Sequence, residues 1–124
     1  MLTCSLRMFR AKKEILLVTR EDVLHDRILE SAGYAVTKVK NVAEARLVWQ
    51  PARFALVLIS AASHSRDVEE FCEELKTLYP PQSVALLTGW YTFVPKDSCP
   101  DDAIPRSGSP ETFVARVAEL VASA

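Results

Sequence analysis

The chain predicts a doubly wound α/β fold. Strand-length apolar segments alternate with helix-length amphipathic ones, and the most apolar segments show no polar alternation. A strand covered by helices on both faces is apolar at consecutive positions, whereas a strand with one wet face alternates. Ile15-Leu16-Leu17-Val18 and Phe54-Ala55-Leu56-Val57-Leu58-Ile59 are of the first kind. The second is the most apolar run in the chain and is expected to be the central strand.

The elements follow in order. After the first strand, Asp22 is the expected cap of a helix that Gly33 stops, with Val23 or Leu24, then Ile28, then Ser31 or Ala32 on its inner face. The segment 34–39 alternates and is β-branched, so it reads as a short, partly exposed strand. Asn41 caps a helix through Trp49, with Val42, Ala45 and either Trp49 or Leu47-Val48 turned inward, and Pro51 ends it. The segment 66–79 carries Val68, Phe71, Cys72, Leu75 and Leu78 on one stripe and stops at Pro80-Pro81. The segment 83–88 is a fourth strand. From Gly89 to Asp102 the helical period is lost and Pro95 and Pro100 intervene, so the helix expected there is shortened or missing. Ala103-Ile104-Pro105 is a short edge strand. Ser109 caps a last helix that begins at Pro110 and buries Phe113, Val114, Val117, Leu120 and Val121.

A chain of 124 residues is long enough for one core. Residues 13–124 are expected to form that domain, with 1–12 an N-terminal arm or the trace of a start upstream of Met8. The formal charge of −1 gives no basic excess for neutralising phosphates, so nucleic acid is not an expected partner. No apolar stretch is long enough to span a membrane, and the N-terminus lacks the apolar core of a secretion signal. Cys4, Cys72 and Cys99 are widely spaced, and neither His25 nor His64 stands at metal-ligand spacing from a cysteine. A cytoplasmic protein with reduced thiols, no metal and no cofactor is the expectation.

Strands that alternate with helices pair in parallel through right-handed crossovers. The flavodoxin-like strand order 2-1-3-4-5 sets the first and third strands side by side, where the winding reverses. Thr19, Arg20 and Ser60, at the carboxyl ends of those strands, then converge on one crevice.

The spacing of these two strands, Leu87-Thr88-Gly89 at the end of the fourth, and Asp101-Asp102-Ala103-Ile104-Pro105-Arg106 followed by Ser109-Pro110-Glu111 together resemble the bacterial response-regulator receiver domain. The resemblance covers about residues 13–122. It implies a receiver-like domain of the two-component phosphorelay type. It also implies a site in which two acids after the first strand and an aspartate ending the third hold Mg²⁺ and accept a phosphoryl group. At the matching positions this chain has Thr19 and Arg20 for the acids and Ser60 for the phosphoacceptor. By the same resemblance Arg106 replaces a lysine, Ala103 replaces an aromatic switch residue, and Thr88 keeps its hydroxyl. A serine cannot form an acyl phosphate, and a site changed from three acids to one cation repels Mg²⁺. The chain therefore resembles a pseudo-receiver. A strand slid by two residues would bring Glu21 and Asp22 to the acid positions, but Ser60 would still lack the carboxylate.

The expected activity is signalling by protein contact, without enzymatic chemistry. The partner is expected to be a protein such as a histidine kinase or an output protein, or a second copy in a homodimer. No output domain is expected after Ala124. The alternative is an anion or small-molecule sensor in which Thr19, Arg20, Ser60, Thr88 and Arg106 meet a phosphate, sulfate or acidic side chain. The aromatic segment with Trp90, Tyr91 and Phe93 either forms a partner surface or folds over the sheet face that a shortened helix leaves bare, the second being preferred. His64, close to Ser60, reads as a loop residue, since no orienting acid accompanies it.

Overall fold

The computed structural model describes residues 12–20, 24–61, 66–89 and 98–123. Five parallel strands, β1 (Glu14–Val18), β2 (Ala35–Val39), β3 (Leu56–Ala61), β4 (Val84–Thr88) and β5 (Asp102–Pro105), form one sheet in the order β2-β1-β3-β4-β5. Among the described residues there are four helices: α1 (His25–Ser31), α2 (Val42–Val48), α3 (Arg66–Leu78) and α4 (Pro110–Ser123). This is the expected doubly wound, flavodoxin-like sheet. No helix stands between β4 and β5 among the described residues, although residues 90–97 fall outside them.

Strand pleating divides the apolar runs between two cores. Leu16, Val18, Val57, Ile59, Val84 and Leu86 face one side and pack with Ala45 and Trp49 beside α2 and with Val68, Phe71, Cys72 and Leu75 of α3. Ile15, Leu17, Leu56, Leu58, Ala85 and Leu87 face the other and pack with Leu29 of α1 and with Phe113, Val117 and Val121 of α4. All twelve strand residues are buried, which is why neither run alternates. Each such side chain contributes roughly 1.5–3 kcal/mol by leaving water. β2 at the edge has one fully covered residue, Val39, as its alternating sequence predicts.

The caps follow the sequence. Asn41 Oδ1 accepts the Glu44 amide at 2.9 Å, and Ser109 Oγ accepts the Thr112 amide at 3.1 Å. Gly33, with φ 101°, takes the left-handed conformation that ends α1.

Two helix faces differ from expectation. In α1 the buried residues are His25 and Leu29, while Leu24 is 59% exposed and Ser31 and Ala32 lie outward. The helix begins at His25, whose ring makes a T-shaped contact with Phe113 (centroids 4.8 Å apart), so the buried stripe runs through His25 and Leu29, while Ile28, as expected, packs half-buried on the same core. In α3 the stripe stops at Leu75, because Leu78 ends the helix and is exposed. Trp49, and not Leu47, completes the inner face next to α2. The proposed N-terminal arm (except Lys12), the Glu21-Asp22 pair and Asp22 cap, His64, and Trp90, Tyr91 and Phe93 lie outside the described residues.

Candidate functional site

Parallel pairing brings the carboxyl ends of β1, β3, β4 and β5 to one edge of the sheet. Val18 stands opposite Ile59, so the next residues, Thr19 and Ser60, are neighbours across β1 and β3. The Thr19 amide donates to the Val39 carbonyl at 2.8 Å, joining the ends of β1 and β2 as well. Thr19 is buried, Ser60 half-buried and Arg20 exposed.

These three residues share a cleft of about 640 Å³. Its other polar walls come from Lys40 and Asn41, which follow β2, from Arg46 of α2 and from Asp67 in the first turn of α3. Among the described residues, three of the four charged side chains lining the cleft are basic and one is acidic. The Lys40 backbone is pinned by the cap of α2: its amide donates to Glu44 Oε1 at 3.0 Å while the Glu44 amide donates back to Asn41. Arg46 is already engaged, with Nε 3.3 Å from Glu74 and its guanidinium 5.5 Å over the Phe71 ring. Arg20 and Lys40 have no ion pair among the described residues.

The remaining expected positions lie further along the edge. The Thr88 hydroxyl donates to the Ile104 carbonyl at 3.5 Å, and the Thr88 carbonyl accepts the Arg106 amide at 2.9 Å. Thr88 therefore joins β4 to the end of β5. Neither Thr88 nor Arg106 lines the cleft, and the Arg106 side chain is exposed. Ala103 pairs with Leu86 inside the sheet and packs, half-buried, on the core beneath α3.

Lys40, Arg46 and Asp67 were not legible as site residues from motifs. A signal for Lys40 was present in the strand order. With β2 beside β1, the residue after β2 must stand next to the residues after β1. Among the described residues no cluster of three or more His, Cys, Asp or Glu is arranged to hold a metal. A separate apolar groove of about 650 Å³ lies between α1 and α4, walled by Ile28, Ala32, Pro110 and Val114, and shares no residue with the cleft. No helix is long and apolar enough to cross a membrane among the described residues.

No family model matches the chain, and no curated protein matches it. Solved structures do. The response regulator TrrA from Thermotoga maritima, in complex with Mg²⁺ and beryllium fluoride, is 20% identical with a TM-score of 0.74, over 87% of this chain and 98% of that one. A putative response regulator from Chloroflexus aurantiacus is 18% identical with a TM-score of 0.74, over 90% and 98%. The non-phosphorylated HemR receiver domain from Leptospira biflexa is 21% identical with a TM-score of 0.72, over 89% and 94%. At these identities the likeness is one of fold, and the chain has the fold of the response-regulator receiver domain.

Proposed function

We propose that this chain is a receiver-like signalling module of the two-component type that acts through contact with a protein partner and does not accept a phosphoryl group. The observation that carries the reading is the cleft at the ends of β1 and β3. It lies at the switch point of a receiver fold, yet Thr19, Arg20 and Ser60 occupy it with Lys40 and Arg46 alongside. A hard divalent cation takes oxygen ligands and is usually anchored by one or two carboxylates, and the described residues of the cleft offer one, on Asp67, against three basic groups. Charge stabilisation on a transferring phosphoryl group depends on that metal. The partner would be a histidine kinase, an output protein or a second copy of the chain.

The test is incubation with acetyl phosphate and Mg²⁺, read by intact mass. The reading requires an unmodified chain under conditions that label a conventional receiver. A phosphoryl adduct that is lost on brief alkaline hydrolysis, as an acyl phosphate is, overturns it.

A second reading, anion sensing in the same cleft, is favoured by one observation. Arg20 and Lys40 flank the hydroxyls of Thr19 and Ser60 without an ion pair of their own among the described residues. Thr88 and Arg106 stand outside this cleft, and Lys40 takes the place of Arg106 as the second cation. A sulfate or phosphate group, or a phosphorylated side chain, has the charge and the acceptor oxygens that this set can serve.

A further inference from the structure

Cys72, on α3, and Cys99 are 27 residues apart in sequence and belong to one packed region of the fold (99 − 72 = 27). Cys99 packs against the core cluster that contains Cys72. The backbone around Cys99 is laid along α3 by contacts on either side of the thiols. The Cys99 amide donates to Glu69 Oε2 at 2.7 Å, and Asp101 pairs with Lys76 at 2.7 Å. Glu69, Cys72 and Lys76 recur at helical spacing and so form one stripe of α3. Asp101 in addition accepts the Val84 amide at 2.8 Å, which fixes the same segment to the first residue of β4. The segment that enters β5 is therefore held along the stripe of α3 that carries Cys72, by contacts that do not involve sulfur.

We propose that Cys72 and Cys99 form a reversible disulfide, made by exchange with a small-molecule disulfide of the glutathione class. Cys72 is fully buried and Cys99 half-buried, so reaction starts at Cys99. The Cys99 thiolate attacks one sulfur of the oxidised tripeptide, the S–S bond breaks, and one glutathione thiolate leaves. Cys72 then gives up its proton and attacks Cys99 Sγ, and the mixed disulfide breaks to release the second glutathione thiol. Two protein thiols are oxidised and one small disulfide is reduced to two thiols. The division of roles agrees with burial, which opposes charge most strongly on the fully buried Cys72. Burial pushes both thiols up, so exchange is slow at neutral pH and quickens in alkali. The bond would close a loop that contains β4 and would tie the entry of β5 to α3 covalently.

The experiment uses the full chain equilibrated in glutathione buffers of graded redox ratio, trapped by acid and alkylation, and read by peptide mapping and thermal melting. A Cys72–Cys99 cross-linked peptide should accumulate at oxidising ratios, disappear on return to reduced glutathione, and raise Tm by roughly 5 °C through loop closure. Cys4→Ser should change neither readout, and Cys99→Ser should abolish both. Cys72→Ser buries a hydroxyl and risks unfolding, so the half-buried Cys99 carries the control. Full alkylation of both thiols at every ratio overturns the proposal. So does a stable glutathione adduct on Cys99 with Cys72 still free, or pairing of Cys4 with either.

Discussion

Trp49 donates its indole N–H to the side-chain carbonyl of Gln82 across 2.9 Å, and both residues are buried. The Gln82 amide nitrogen in turn donates to the carbonyls of Phe54 at 3.2 Å and Ser83 at 3.0 Å. One side chain therefore joins the end of α2, the entry to β3 and the entry to β4. This knot lies at the amino end of the sheet, opposite the cleft.

Gln82→Leu keeps the volume and removes all three bonds. It leaves the buried Trp49 N–H without its acceptor and the Phe54 carbonyl without this donor. Each stranded group costs about 1–3 kcal/mol, so urea denaturation should show a loss of about 2–4 kcal/mol. A loss within about 0.5 kcal/mol, the size of an ordinary surface substitution, would mean that water replaces the glutamine.

Gly33 sits at φ 101°, and a Cβ built there meets nothing within 4 Å. Gly33→Ala is therefore a test of backbone strain alone. The expected cost is about 1 kcal/mol, seen as a lower urea midpoint with an unchanged slope. An unchanged midpoint would show that α1 can end without the left-handed residue.

The buried thiols set an alkaline limit to stability. Folding raises the Cys72 and Cys99 thiols above their ordinary value of 9.0, chiefly by burial. The folded state then holds protons that the unfolded chain releases. Their contribution is fully present below about pH 9 and is lost as pH rises above it. Reduced protein should lose stability steeply above pH 9 in denaturant titrations, and Cys99→Ala should flatten that fall. Equal slopes in both proteins would place the alkaline transition elsewhere.

Arg20 and Lys40 predict anion-linked stability. Sulfate at tenfold its dissociation constant should stabilise the fold by about 1.4 kcal/mol, a Tm rise of several degrees over chloride at equal ionic strength. Arg20→Ala and Lys40→Ala should each reduce the rise while leaving the melt in chloride unchanged, because neither side chain has an ion pair among the described residues. The same rise in the double variant would assign the effect to general salt action.

The sheet was legible because a strand buried on both faces needs an unbroken apolar run, and Ile15–Val18 and Leu56–Ile59 have no other stable use. The caps at Asn41 and Ser109 were legible because they act within one turn. The inner face of α1 was not. A histidine reads as polar in a periodic pattern, yet the His25 ring finds Phe113 on a helix more than 80 residues away in sequence (113 − 25 = 88). At the cleft, topology alone brought Thr19 to Ser60, while Thr88 was drawn away by a bond to Ile104 that no motif announces. The approach of Cys99 to Cys72 depends on Glu69 and Lys76 gripping a segment with no periodicity, so spacing could not reveal it.

The proposed function requires that the β1/β3 cleft bind neither Mg²⁺ nor a metal-dependent phosphoryl group. Calorimetric titration with beryllofluoride, with and without Mg²⁺, tests it most directly, because that complex stands in for a metal-bound phosphoryl group. No Mg²⁺-dependent heat and no saturable binding of Mg²⁺ itself are expected. Stoichiometric binding of beryllofluoride that requires Mg²⁺ would contradict it.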